Sequence, residues 1–427
     1  MSGDLDIDRL GARAEAMLDE LATISEERDR LTRRFLTPEH KRAAHLVPQW
    51  MAEAGMATSE DAVATVRGHY PMAGEPDGAN HVPRLLIGSH IDTVINAGKY
   101  DGMLGVVAGI LTVEHFRNQN RRFPFAVDVL AFGDEEGSRF PTTLSSSAAI
   151  AGNFEERWFE GADRDGITLK QAMIDYGLTP NMEAVQTAAL PRDEALAYIE
   201  LHIEQGPVLE HHDLPLGVVT SIAGQNRSRV TVSGVAGHAG TVPMMLRRDA
   251  LAAACEMIGL AERIAKEGKA ANMVATVGQL SVMPGAANVI PDKVVFTLDL
   301  RAAADAPRAK AMNSFAHVAE QIAAARGCDL TIETYHDCPT AVCAPWLQKG
   351  FSEALSSLDL PTPKLLSGAG HDGQAMSRLT DFAMLFARSK AGISHNPAEY
   401  TAPRDLGLAV ATMIRFVEQF DPAKKQA

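Results

Sequence analysis

Imidazole and carboxylate side chains recur in this chain where the sequence also ends a strand or makes a glycine-marked turn. His90 and Asp92 stand two apart in Gly88-Ser89-His90-Ile91-Asp92, after an apolar strand at 84–87, so an extended chain directs both to one side. Asp101 follows in Tyr100-Asp101-Gly102, and Glu135 and Glu136 come just after a strand at 127–132. His202 lies in an alternating strand at 198–204 that puts Glu200, His202 and Glu204 on one face, and His395 stands in Ser394-His395-Asn396-Pro397. A lone strand-end histidine, or a pair of adjacent glutamates, is ordinarily a solvated or hydrogen-bonded feature. Nitrogen and oxygen donors at several strand ends, beside glycines that permit close backbone approach, point instead to a metal centre.

The donor set suits zinc, manganese or cobalt better than a soft copper site or an oxygen-only calcium site. A carboxylate shared by two ions about 3.5–4 Å apart can place a water for attack and draw its pKa toward neutral. A second carboxylate, outside the coordination sphere, must then take the proton and pass it to the leaving atom. Glu135 and Glu136 could divide those tasks, one as base and one as ligand, with Asp92 fixing the ring of His90.

The elements that must position these residues alternate as strand, loop and helix. An amphipathic helix is expected at 8–22, and a second after Thr37-Pro38-Glu39, where Thr37 caps and Pro38 suits the first turn. A buried helix follows at 102–116, between the strands at 84–87 and 127–132. Such alternation predicts an α/β catalytic domain, a central mixed sheet flanked by helices, with ligands at the strand ends. The middle of the chain changes style, with strands at 228–233, 275–282, 293–301 and 330–334 and helices at 248–266 and 306–325. We read 219–335 as an inserted α+β domain and 1–218 with 336–427 as the catalytic domain, ending in a helix at 406–420.

Length agrees with two domains, since 427 residues exceed one ordinary core. Hydrophobic residues make up 46% and charged residues 22%, a globular balance. The net charge of −14 argues against nucleic acid and against an acidic membrane surface as partners. No apolar run approaches the roughly 20 residues that span a bilayer. The acidic start, with Asp4, Asp6 and Asp8, lacks the form of a secretory signal. Cys255, Cys328, Cys338 and Cys343 form no paired clusters, so a cytoplasmic setting is expected.

Together GSHIDTV…GKYDG, DEEGSRF, LHIEQGP, GHAGTVPM and GISHNPAEY resemble the hydantoinase/carbamoylase branch of the dinuclear metallopeptidase–aminoacylase superfamily, across essentially the whole chain. HIDTVINAGKYDG, DEEGSRF and SSAAIAG are most similar to the allantoate amidohydrolases of that branch. The resemblance implies two divalent ions per subunit, manganese or zinc, with cobalt or nickel as further options. It assigns His90, Asp101 and His202 to one ion and Asp101, Glu136 and His395 to the other, with Glu135 as general acid/base. His202 stands where related peptidases are expected to use a carboxylate, which turns the expectation from peptides toward N-carbamoyl (ureido) substrates.

The resemblance also implies that Arg227, Asn288 and Arg301 of the inserted domain bind the substrate, that His238 stabilises the oxyanion, and that Gln205 is a polar contact. A planar guanidinium such as that of Arg301 is suited to bidentate carboxylate recognition. His371 and Asp372 match a signature that supports the site without binding metal. The expected reaction is hydrolysis of allantoate to ureidoglycine, ammonia and carbon dioxide, with the inserted domain acting as a lid and as the face of a homodimer. The alternative is an N-carbamoyl-L-amino acid hydrolase; a metallopeptidase and a non-catalytic binding protein are weaker readings. Two departures from the pattern, the missing glycine after Leu144 and Gly373 after the His-Asp pair, touch no ligand.

Overall fold

The computed structural model describes residues 5–76, 78–79 and 81–426, so part of the acidic start read above lies outside the described residues. The chain divides into two compact units, Met1–Thr220 with Cys343–Ala427, and Ser221–Val342.

In the first unit, Asp6 caps helix α1 (Ile7–Ala22) by accepting the Arg9 N–H at 3.0 Å. Thr37 caps α2 (Pro38–Glu53) through the His40 N–H, and Pro38 occupies its first turn. The strands include β1 (Ala57–Glu60), β2 (Val66–Tyr70), β3 (Arg84–His90), β4 (Ala126–Phe132), β5 (Ala195–Ile203) and β6 (Leu216–Ile222), with Lys364–Ser367 and Phe382–Ala387 later in the chain. Strand β3 continues three residues beyond the expected 84–87 and delivers His90 at its last position. Both β3 and β4 are buried along their whole length, as strands covered on two faces must be. Helix α3 (Met103–Asn118) is apolar nearly all round and packs on the sheet.

Strand order is β1–β2–β4–β3–β5, followed by Phe382–Ala387 and β6. β4, β3, β5 and Phe382–Ala387 are mutually parallel, while β1, β2 and β6 run antiparallel to their neighbours. The four parallel strands therefore end on the same edge of the sheet, where open α/β sheets place their ligands. His90 ends β3, Asp134-Glu135-Glu136 follow β4, His202 is the penultimate residue of β5, and the loop after Phe382–Ala387 carries His395.

The second unit is an antiparallel sheet under two helices. Its strands are β7 (Gly224–Ser233), β8 (Gly237–His238), β9 (Val274–Thr276), β10 (Leu280–Met283), β11 (Val289–Ile290), β12 (Lys293–Ala302) and β13 (Asp329–Cys338). The single strand expected at 275–282 is two short ones, β9 and β10, and β13 runs past 335 to Cys338. Both β9 and β10 pair with β12, which pairs with β7, and β7 pairs with β13; β8 and β11 pair separately. Helices α4 (Ala250–Glu267) and α5 (Asp305–Ala325) cover one face, where Val230, Val232, Val294, Phe296 and Leu298 meet Met257 and Phe315. Alternation along β12 leaves Thr297, Asp299 and Arg301 on the opposite face.

Candidate metal centre

Asp101 is buried in the turn before α3, and its two carboxylate oxygens face different groups. Oδ1 lies 3.1 Å from His202 Nε2 and 3.7 Å from His90 Nε2. Oδ2 lies 3.2 Å from His395 Nε2, which is 3.5 Å from Glu136 Oε2. His90, Asp101 and His202 thus form one cluster of donor atoms, and Asp101, Glu136 and His395 another. A shared carboxylate with one oxygen toward each cluster is the arrangement that bridging requires.

The backbone makes this packing possible. Gly102 has φ 74°, and a Cβ there would stand 2.3 Å from the His90 ring, so both the conformation and the space require glycine. Glu399 grips the same turn: its Oε1 accepts the Tyr100 N–H at 2.9 Å and the Asp101 N–H at 3.1 Å. Ser394 Oγ reaches Asp101 Oδ2 at 2.8 Å and Glu399 Oε2 at 3.1 Å, linking the turn to the His395 loop. Gln205 Nε2 also donates to Asp101 Oδ2 at 2.8 Å, with Ser394 Oγ at 3.2 Å and His395 Nε2 at 3.4 Å.

The histidine rings are oriented as ligands. His202 Nδ1 is 2.9 Å from the Ile203 carbonyl, so a proton on Nδ1 is donated there and Nε2 keeps its lone pair. Nε2 is buried 3.1 Å from Asp101 Oδ1 and makes no hydrogen bond among the described residues. His90 Nδ1 faces the Asp92 main-chain carbonyl at 3.1 Å and the Asp92 carboxylate at 3.4 Å, which turns its Nε2 toward Asp101. Imidazole nitrogens gathered about a shared carboxylate, with the buried Nε2 of His202 lacking a hydrogen bond, fit a divalent cation of the zinc or manganese type.

Electrostatics favour the same occupant. Burial works to raise the Asp101 carboxyl, but His202 and His395 outweigh it and hold Asp101 well below the ordinary carboxylate range. Contact with Asp101 lifts His395 to about 9. An anion that draws protons onto surrounding imidazoles will equally favour a metal cation among them. Burial lifts Glu135 well above its ordinary range against the pull of His90, and Glu136, Asp372 and Asp92 lift it further. Glu135 Oε2 lies 3.8 Å from His90 Nε2, and His90, Glu135 and Glu136 form a further group of donor atoms.

Behind His202 lies a buried polar layer. Glu200 accepts the Gly373 N–H at 2.9 Å and the Tyr198 hydroxyl at 3.1 Å, and Ser89 Oγ is 3.2 Å away. His371 bonds Ser367 Oγ at 2.7 Å, and burial together with neighbouring His202 pushes it well below the ordinary imidazole range. The donor atoms of Glu200, His202 and His371 form a further group, but His202 already directs Nδ1 to a carbonyl and Nε2 toward Asp101. Glu399 and Ser394 carry no expectation from sequence; both sit inside GISHNPAEY, four and one positions from His395.

The remaining expected site residues belong to the second unit. Asp299 holds both arginines: its Oδ2 accepts Arg227 Nε at 3.0 Å, while Arg301 donates Nε to Oδ1 at 3.0 Å and Nη2 to Oδ2 at 2.9 Å. One bidentate edge of Arg301 is thus engaged by the protein itself. Among the described residues Arg227 donates a hydrogen bond only through Nε, which leaves its Nη atoms without one. His238 is exposed on β8 opposite Val289, and the Ala239 N–H bonds the Asn288 carbonyl at 2.9 Å, bringing His238 and Asn288 together.

A family model described as peptidase family M20/M25/M40 matches residues 86–419. An allantoate deiminase of Arabidopsis thaliana is 38% identical over 95% of this chain and 81% of its own length. An N-carbamoyl-L-amino acid amidohydrolase of Geobacillus stearothermophilus is also 38% identical, over 91% of this chain and 93% of its own. Among solved structures, a hydantoinase/carbamoylase family amidase from Burkholderia multivorans superposes with a TM-score of 0.87 at 29% identity, covering 97% of this chain and 98% of the other.

Proposed function

We infer that this chain, which belongs to peptidase family M20/M25/M40, is a metal-dependent amidohydrolase that cleaves a ureido C–N bond, with allantoate as its substrate. The observation that carries the reading is the division of Asp101 between His90 with His202 on one side and His395 with Glu136 on the other. Relatives named for allantoate and for N-carbamoyl amino acids support the ureido bond. Two divalent ions, manganese or zinc, would be held by His90, Asp101, Glu136, His202 and His395, and would polarise the carbonyl and acidify the attacking water.

Glu135 takes the proton of that water and returns it to the departing nitrogen, a role that suits a carboxyl raised by burial. Gln205 fixes the bridging carboxylate by its bond to Asp101 Oδ2. We assign the substrate carboxylate to Arg227 and Arg301, oxyanion stabilisation to His238, and a polar contact to Asn288. The inserted unit is proposed as lid and homodimer face, and the cytoplasm as the setting. Among the described residues, no helix is long and apolar enough to cross a membrane.

A second reading, N-carbamoyl-L-amino acid hydrolysis, is favoured by a relative at the same identity. Ammonia release from allantoate, measured beside hydrolysis of a panel of N-carbamoyl-L-amino acids in manganese- or zinc-loaded protein, separates the two. Higher kcat/KM on allantoate is expected; preference for the carbamoyl amino acids would replace the first reading with the second.

A further inference from the structure

Arg33 lies in a stretch, Asp29-Arg30-Leu31-Thr32-Arg33-Arg34, whose composition suggests a solvated surface, yet its side chain is fully buried at 0% exposure. Among the described residues it makes no ion pair. A buried guanidinium is costly unless its charge and its N–H groups are answered. Its N–H groups are answered by carbonyls: Nε donates to Ile91 O at 2.7 Å, and Nη1 donates to Leu21 O and Ile24 O, each at 2.9 Å. Nη2 lies against the sulfur of Met103.

The main chain of Arg33 completes a clamp. Its N–H donates to Thr93 Oγ1 at 2.8 Å, and its carbonyl accepts the Thr93 N–H at 2.9 Å. Residues immediately before and after Asp92 are therefore fixed to Arg33, and Met103 opens the helix that follows Asp101. One side chain thereby touches two of the segments that bring proposed ligands to the centre, the end of β3 and the start of α3. Asp92 is buried nearby, and its carboxylate is the acidic group that acts on the guanidinium. Burial lowers the guanidinium to about 10, with the charge of Asp92 opposing the shift. Arginine rather than lysine is needed, because only a planar fork can reach three carbonyls in fixed directions.

We propose that Arg33 is a positioning residue of the metal centre, a buried cation whose fork, together with its main-chain clamp on Thr93, sets the His90–Asp92 turn and the start of the Asp101 helix in register for metal binding. This rests on the proposed metal centre. The test is calorimetric titration of the demetallated full chain with Mn2+ or Zn2+, comparing the unaltered protein with Arg33→Gln, Arg33→Lys and Thr93→Val. Both Arg33 variants are expected to bind metal about 10–100-fold more weakly. When metal-saturated they should keep the substrate KM and lose kcat.

Metal binding as tight as that of the unaltered protein in a folded Arg33→Lys or Arg33→Gln variant would overturn the assignment. Should neither variant give a cooperative melt, Thr93→Val decides, since it removes one acceptor of the clamp and leaves the guanidinium. Weaker metal binding there supports the role, and undiminished binding overturns it. Failure of the unaltered chain to bind either ion would sink the metal centre itself, a separate result.

Discussion

Asp92 Oδ1 accepts the main-chain N–H of Glu135 at 3.1 Å, and the partner oxygen accepts that of Glu136 at 3.2 Å. A residue just past the end of β3 thus sets the backbone just past the end of β4, where the proposed base and a proposed ligand stand side by side. The same carboxylate lies 3.4 Å from His90 Nδ1. Asp92 therefore acts less as a partner of one imidazole, the role expected from spacing, than as the joint between two strand ends.

Replacing Asp92 by Asn tests that joint. An amide can accept through its oxygen but presents a donor where the second carboxylate oxygen stood, so one of the two N–H groups loses its acceptor and meets an N–H. Asp92→Asn should lower metal affinity or kcat/KM by about 10–100-fold with the fold retained. Metal titration and steady-state kinetics check this, and near-normal values for both would remove Asp92 from the machinery.

Glu135→Gln should separate metal binding from turnover. The side chain keeps its size but can no longer accept a proton, while the proposed ligands are untouched. Turnover should fall by about 10²–10⁴-fold, the usual contribution of a general acid/base, with metal content unchanged. Substantial residual activity would transfer the role to another group.

Metal removal should destabilise the protein. Without cations, buried Asp101 and part-buried Glu135 and Glu136 stand around three imidazoles, and desolvation already raises Glu136 to about 7. An ion present at 1,000 times its Kd would add about 4 kcal/mol of stability. A chelator should lower Tm, and manganese or zinc should restore it. An unchanged melt across that cycle would argue against occupancy in the folded state.

Arg301→Lys should raise KM for a carboxylate-bearing substrate by at least about tenfold with kcat little altered, because a point charge cannot reproduce a fork already docked on Asp299. Arg227→Lys should behave similarly if its Nη pair meets the ligand. A change confined to kcat would place these residues in the chemical step instead.

Much of the catalytic unit could be read from periodicity. The apolar runs at 84–87 and 127–132, and the cap Thr37-Pro38, gave the right elements to within a few residues. The five proposed ligands could be picked out because each stands at a strand end or in a short turn. Arg33 was not legible, since an arginine among charged neighbours reads as surface and only tertiary packing seals it under Leu21, Ile24 and Ile91. Glu399 was hidden for a related reason: its partners are main-chain N–H groups of Tyr100 and Asp101, which no side-chain pattern announces. The docking of Arg301 on Asp299 follows from strand alternation, which places residues two apart on one face, but which guanidinium edge it would take was not readable.

His69, away from the metal centre, gives stability its own pH dependence. Its Nδ1 is 2.6 Å from Asp128, a carboxylate that is fully buried and also paired with Arg67 and Arg84, and its Nε2 is 2.9 Å from Glu75. The bond to Asp128 raises the imidazole above its ordinary 6.5, overcoming burial, and Glu75 adds to the effect. A group whose pKa is raised on folding contributes stability that is complete below the unfolded value and is lost as pH climbs through the folded one. The stability gap between the unaltered protein and His69→Gln should therefore be widest below about pH 6.5 and narrow as the pH is raised. Urea unfolding of both proteins from pH 5.5 to 9, metal-saturated throughout, measures that gap. A gap that stays flat, or widens toward alkaline pH, would mean that His69 acts by its shape and not by its charge.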